Sequence, residues 1–210
     1  MPDKEQDTRQ RILEAAVEAF ARRGFHDTKV SDIVDGSRTS KGAVYFHFPS
    51  KKDIFLGLVD EFAGLLEGRL ENTLASADSG LEKVNAALGI CLDTFTRYRK
   101  LTKIFLIQAA GLGQEFEEKR LEIHRRFIDI IEDQLRSAQQ EGSLSGIDPE
   151  ITAYAWMGAI NEVVISWVHD AHPDPEAAFP ALRAFLLRGI GIPEEELQKL
   201  DSTFNTLEKD

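Results

Sequence analysis

The side chains of this 210-residue chain suggest two kinds of chemistry, and only one has workable spacing. The candidate nucleophiles and metal ligands are scattered. His26, His47, His124, His169 and His172 form no HExxH pair, and Ser40 has no base and acid partners at a recognisable distance along the chain. His169 and His172 lie three apart, but only Asp170 stands with them and Pro173 points to a helix end, so they fit a metal poorly. No glycine-rich phosphate loop follows a strand pattern. The single cysteine, Cys91, shares an apolar stripe with Leu88, Leu92 and Phe95 and has no resolving partner, which makes it a core thiol. The expectation is a protein without catalysis, metal or cofactor. Ser40, Lys41, Gly42, Ala43, Tyr45, Phe46 and His47, followed by Lys51 and Lys52, are different. They combine cations, hydrogen-bond donors, small surface and aromatics, a mixture suited to phosphates and base edges.

Short helices must present that mixture. Val30, Ile33 and Val34 recur at spacings of three and four and form one inward face. Gly36-Ser37-Arg38 breaks the pattern, and Thr39 or Ser40 can cap a second helix whose Val44 and Phe48 face inward. Upstream, Asp7 opens a helix with an apolar stripe of Ile12, Ala16, Ala19 and Phe20 that Gly24 ends. Downstream, Ser50 and Asp53 form a capping box at the start of a long helix, where Lys51, Lys52 and the helix amino end favour an anion.

Thr28, Ile33, Ser40-Lys41-Gly42, Val44-Tyr45-Phe46-His47-Phe48 and Ser50-Lys51 together resemble the amino-terminal signature of TetR-type bacterial transcriptional regulators. The likeness covers about a quarter of the chain. It implies an all-α protein, with a three-helix helix-turn-helix DNA-binding domain over 1–52 and a helical ligand-binding and dimerisation domain over 53–210. It departs at Arg38, where the family usually has glycine. A non-glycine residue there costs about 1 kcal/mol if the left-handed conformation is kept.

Composition agrees with this. A hydrophobic fraction of 42% supplies a core, and one cysteine excludes a disulfide framework. The amino terminus lacks an apolar signal core, and Asn161-Glu162 interrupts the best candidate span, so a cytoplasmic protein with no membrane partner is expected. The formal charge of −11 disfavours DNA at first sight. Residues 1–52, however, hold ten Lys and Arg against eight Asp and Glu, so the acid sits in the body. Weak nonspecific affinity and strong salt sensitivity follow.

Beyond residue 53 only amphipathic helical segments occur, from about Lys51 to Ala77, Ser79-Gly80 to Tyr98, Leu101 to Leu112 with a break at Gly111, Glu115 to Gln140, Asp148-Pro149 to His169, and Asp174-Pro175 to Ile190. The tail from Pro193 makes a short helix using Leu197, Leu200, Phe204 and Leu207. The segment after Pro149 is apolar on more than one face, so one face needs a partner. The resemblance implies a homodimer here, with Val164, Trp167, Leu182, Phe185, Leu186 and Ile190 at the interface. Such a dimer would bind palindromic double-stranded operator DNA. It also implies a small-molecule effector cavity among Phe62, Leu66, Phe95, Tyr98, Phe105, Gln108, Phe127, Ile131, Trp156 and Asn161. A ligand wedged against Phe62 or Leu66 would tilt the long helix and shift the head, with Thr28, Lys51 and Lys52 holding phosphates until release. Arg97, Arg99, Lys100 and Lys103 favour anionic amphiphiles, and the arrangement from Trp156 to Gly191 resembles regulators of fatty-acid degradation that bind acyl-coenzyme A. Two other readings stay open. One is a multidrug-type sensor holding cationic compounds on Glu162 or Asp129, and the other is a helical adaptor binding protein through Tyr45 and Phe46.

Overall fold

The computed structural model describes residues 4–77, 79–109 and 112–207. Among the described residues are ten α-helices and one π-helical turn, and no strand. The helices are α1 (Lys4–Asp27), α2 (Val30–Ser37), α3 (Lys41–His47), α4 (Lys51–Ser76), α5 (Gly80–Arg97), α6 (Arg99–Lys103), α7 (Gln114–Gln140), α8 (Pro149–Asp170), α9 (Pro175–Gly189) and α10 (Glu194–Leu207). The π turn, Ile104–Gln108, follows α6 directly. This all-helical arrangement is the fold class expected from the periodicities.

Two compact units emerge, Met1–Leu65 with Tyr98–Leu121, and Leu66–Arg97 with Glu122–Asp210. The expected division at residue 52 misses that the segment after Tyr98 folds with the head. Aromatic packing explains it. Phe20 of α1, Phe55 of α4 and Phe116 of α7 surround Phe25, with the Phe20–Phe55 and Phe55–Phe116 centroids 5.2 and 5.5 Å apart in edge-on geometry. Each such ring contributes roughly 1.5–3 kcal/mol by burial. Ile12, Leu13, Ala16, Ile33, Val44 and Leu58 complete this core, all fully buried.

Several boundaries differ from expectation for local reasons. Asp7 lies inside α1 and does not cap it, because helical backbone extends back to Lys4. Gly24 (φ 78°, ψ 175°) interrupts α1 as expected of a left-handed residue, and the backbone resumes helical geometry to Asp27. The single helix foreseen from Leu101 is α6 plus the π turn. The break at Gly111 and the packing of Phe204 and Leu207 lie outside the described residues and side chains.

In the second unit α5 and α7 approach closely at Gly80. A Cβ added there would stand 2.7 Å from the Ala138 Cα, with no flexible side chain to yield. The Gly80 amide donates to the Glu141 carboxylate at 2.7 Å, which fixes the helix start at the same contact. Exposed Gly64, in the middle of α4, has nothing within 4 Å of an added Cβ. Gly80→Ala is expected to destabilise by about 1–3 kcal/mol or more through overpacking, and Gly64→Ala to stabilise by roughly 0.5–1 kcal/mol through helix propensity. Thermal or urea unfolding of the two variants beside the parent measures both; equal midpoints would contradict the close approach.

Candidate functional site

Helix α3 is short, so its orientation is set by its ends. Ser40 is extended (φ −81°, ψ 153°) and its hydroxyl accepts from the Ala43 amide at 3.1 Å. The Phe48 amide donates to the Val44 carbonyl at 2.9 Å, and Val44 and Phe48 are buried. The Arg9 guanidinium lies 5.4 Å from the Phe48 ring centroid. With that face fixed, Lys41, Gly42, Tyr45 and Phe46 are exposed, while Ala43 and His47 are half-buried. Phe46 is 71% and Tyr45 43% exposed, unusual for large rings with no packing role. The Lys41 ammonium stands 5.9 Å from the Tyr45 ring centroid, so cation and aromatic act as one surface.

The turn leading into α3 keeps its left-handed residue. Arg38 has φ 54° and ψ 37°, the geometry that glycine adopts without strain. Hydrogen bonds offset the strain. The Arg38 amide donates to Asp35 O at 3.3 Å, and the Arg11 guanidinium donates to Ser37 O at 2.7 Å and Arg38 O at 3.1 Å. The Ser37 hydroxyl lies 2.7 Å from that of Thr39, which therefore turns back into the loop and leaves capping to Ser40 alone.

Three residues expected at phosphates are placed otherwise. Thr28 is 1% exposed and its hydroxyl donates to Gly24 O at 2.7 Å, inside the α1–α2 corner. The Lys51 ammonium donates to Phe25 O at 2.6 Å, His26 O at 3.2 Å and Thr28 O at 2.9 Å, and sits 4.5 Å from the Phe25 ring. These contacts tie the end of α1 to the start of α4. Lys52 pairs with Glu115. At the same helix start, the Asp53 amide donates to the Ser50 hydroxyl at 3.2 Å, as the capping box requires, and that hydroxyl donates in turn to the Asp53 carboxylate at 2.7 Å.

The second unit contains a small cavity of about 20 Å³, lined by Leu70 of α4, by Val84, Ala87, Leu88 and Cys91 of α5, by Phe127, Ile130, Ile131 and Gln134 of α7, and by Trp156 and Ile160 of α8. Phe127, Ile131 and Trp156, named for an effector cavity, are among its lining residues. Leu66 and Phe95 are buried in the same unit without lining it, and Asn161 is half-buried away from the lining. Phe62, Tyr98, Phe105 and Gln108 belong to the first unit, where the Phe62 and Phe105 rings pack 5.6 Å apart and the Gln108 amide donates to Phe20 O at 3.0 Å. The α5 contributors are readable as an inward stripe, but nothing in the sequence separates a stripe that fills space from one that borders it. Burial pushes the Cys91 thiol up to about 12, so it stays protonated at neutral pH.

The cationic cluster is dispersed by the fold. Lys100 pairs with Glu18 at 2.6 Å, Lys103 donates to Ala21 O at 3.4 Å, and Arg97 lies 3.4 Å from Asp93. None of these lines the cavity, nor do Asp129 and Glu162, both exposed.

Of the expected interface, Val164, Trp167, Leu186 and Ile190 are buried within the chain, with Trp167 and Phe179 rings 6.0 Å apart in edge-on geometry. They pack α8 on its neighbours and leave no surface to offer. Leu182 is half-buried and Phe185 is 67% exposed. Ile151 and Tyr154, one turn apart on α8, are exposed and escaped the sequence reading because their stripe looked no different from the buried one.

Among the described residues no three His, Cys, Asp or Glu side chains are grouped to hold a metal ion, and no helix is long and apolar enough to cross a membrane. Residues 12–58 match the model of the bacterial regulatory proteins of the tetR family, and residues 77–188 match that of the tetracyclin repressor-like C-terminal domain. The fatty acid metabolism regulator protein of Bacillus subtilis (strain 168) is 26% identical over 181 residues, spanning 85% of this chain and 93% of that protein. Among solved structures, the fatty acid degradation regulator FadR from Bacillus halodurans superposes with a TM-score of 0.80 at 22% identity, over 89% of this chain and 97% of that one. FadR from Bacillus subtilis, solved in complex with stearoyl-CoA, gives 0.76 at 24% identity, over 86% and 98%. With the second family model alone spanning more than half of its length and the exposed α3 surface lying inside the first, this chain belongs to the TetR family of transcriptional regulators, which bind DNA and are not enzymes.

Proposed function

We propose that this protein is a repressor that grips a palindromic operator as a homodimer and lets go when an amphiphile with an apolar chain, such as a fatty acyl-CoA, enters the cavity of the second unit. The observation that carries this is the exposed face of α3, where Lys41, Tyr45 and Phe46 stand free of any packing duty and Ser40, Ala43 and His47 flank them. Gly42 adds to it, because an added Cβ would meet only the Ser40 hydroxyl at 3.8 Å. Nothing in the chain demands glycine there, whereas a closely approaching partner would.

Phosphate contacts fall to the surface cations, since Thr28, Lys51 and Lys52 are engaged internally. The dimer forms through Ile151 and Tyr154 of α8 and Leu182 and Phe185 of α9, the apolar groups those helices leave uncovered. An apolar cavity without charged lining favours an acyl chain over a cationic drug, and the relative solved with stearoyl-CoA supports that choice. Leu70 places α4 at the cavity, so a ligand displacing Leu70 acts on the helix that begins at Lys51. The effector must bind the DNA-free state better, and a difference of about 1–3 kcal/mol gives useful induction.

Three measurements test the reading. In mobility-shift titrations with a duplex selected from a random library by the parent protein, Lys41→Ala and Tyr45→Ala are each expected to cost about 1–3 kcal/mol; no selectable duplex would sink the DNA reading and favour a protein-binding adaptor. Phe185→Glu should convert a dimer to a monomer in sedimentation equilibrium, because it would bury an unpaired charge; a parent protein that is monomeric throughout would remove the interface. Cys91, protonated in the folded state, should react with a thiol reagent at pH 8 far more slowly than in the denatured chain, and saturating long-chain acyl-CoA should slow it further. Unchanged labelling with acyl-CoA bound would place the ligand elsewhere.

A further inference from the structure

We propose that Arg38 is a DNA-contacting residue, its guanidinium taking a backbone phosphate beside α3 while Arg11 holds the strained turn that presents it. It can do so only if α3 enters a groove as proposed above.

The fold itself has no use for arginine at this position. Arg38 occupies a left-handed conformation (φ 54°) that glycine would adopt without strain, so the side chain is kept at a cost in stability. Its own contacts do not repay that cost. The bonds that hold the turn, from Arg11 to Ser37 O and Arg38 O and from the Arg38 amide to Asp35 O, use only backbone atoms of residue 38 and would survive a change of side chain. Arg38 is exposed, and among the described residues its guanidinium forms no ion pair and no hydrogen bond.

Position completes the argument. Arg38 is the C-cap of α2, two residues before the Ser40 cap of α3 and three before Lys41. Arg23 is paired with Asp32, Lys52 with Glu115, and Lys51 and Arg11 are committed to carbonyls. Arg38 and Lys41 flank the start of α3, and neither is committed to a carboxylate or carbonyl as those four cations are. A forked, fully charged donor suits a phosphate oxygen pair. Residues that position a protein on the duplex are of this kind.

The test uses Arg38→Gly, Arg38→Gln and Arg38→Lys in the full-length protein, with the duplex selected by the parent as probe and salt varied. Arg38→Gly and Arg38→Gln are expected to bind roughly tenfold more weakly to the selected duplex and to random duplex alike. Both should flatten the dependence of log affinity on log salt by about 0.9. Arg38→Lys, which keeps the charge, should keep the slope. Arg38→Gly should unfold at no lower temperature than the parent, so that affinity and stability move apart, which a purely structural residue would not do. Arg38→Gln keeps an ordinary backbone preference and decides the matter should the glycine variant fold poorly. Parental affinity and slope in both charge-removing variants would overturn the proposal, as would an Arg38→Lys slope as flat as theirs. A parent protein that selects no duplex removes the DNA reading and this contact together, whereas a binding parent with indifferent variants removes the contact alone.

Discussion

Helix α1 breaks at Gly24, and the first unit is organised around side chains that donate to carbonyls on either side of that break. A helix end leaves up to four carbonyls unsatisfied, and each one buried without a donor costs about 1–3 kcal/mol. Donors arrive from four places. Thr28 answers Gly24 O, Lys51 answers Phe25 O, His26 O and Thr28 O, Lys103 answers Ala21 O and Gln108 answers Phe20 O. Gln108 does so although its own Oε1 is buried with no hydrogen-bond partner among the described residues. The π turn from Ile104 to Gln108 rotates the side chains that follow it, burying Ile104 and Phe105 while Gln108 reaches α1. The segment after Tyr98 thus belongs to the head because it supplies donors and, through Phe116, an aromatic ring that the head lacks.

This dependence also marks where the sequence stops being legible. Helix periods, the Ser40 cap, the Ser50–Asp53 pair and the break at Gly24 depend on neighbours a few residues away, so spacing reveals them. The commitments of Lys51, Lys103 and Gln108 join residues 23 to 88 positions apart. No local pattern encodes such a partner, and Lys51 therefore reads as a phosphate ligand when it is a helix cap. The same limit applies to α8. Its apolar residues cover most of its circumference, so period alone cannot tell the face of Val164 and Trp167, packed inside, from the face of Ile151 and Tyr154, left outside. Arg38 is the converse case. The resemblance exposes it as a departure, and only the Arg11 contact explains how the turn survives it.

The internal commitments change the electrostatic expectation for DNA. Ten cations in residues 1–52 suggest a steep salt dependence, but four of them, Arg11, Arg23, Lys51 and Lys52, are held by carbonyls or carboxylates within the unit. The slope of log affinity against log salt counts only phosphates neutralised, about 0.9 for each. A head with four of its ten cations so committed, on an acidic chain, relies on base edges and shape beside charge. That favours discrimination between sequences over tight nonspecific binding, consistent with the aromatic and small residues exposed on α3.

The cavity obeys a parallel economy. Its lining residues with polar groups are Cys91, whose thiol is held neutral, Gln134 and Trp156; among the described residues no charged side chain lines it. A charged group entering it would lose several kcal/mol of hydration with no counter-ion to compensate. Any amphiphile that binds there must leave its charged end outside and insert only its chain. The space of about 20 Å³ must be enlarged by side-chain movement to admit a chain, after which each methylene buried contributes about 0.8 kcal/mol, close to a fourfold gain in affinity. A longer chain meets packed side chains and adds nothing or clashes. Chain length, and not head charge, is consequently the variable this cavity can measure. On the proposed function, the side chains of Leu70, Trp156 and the facing residues of α5 and α7 would decide which ligands shift the equilibrium away from DNA.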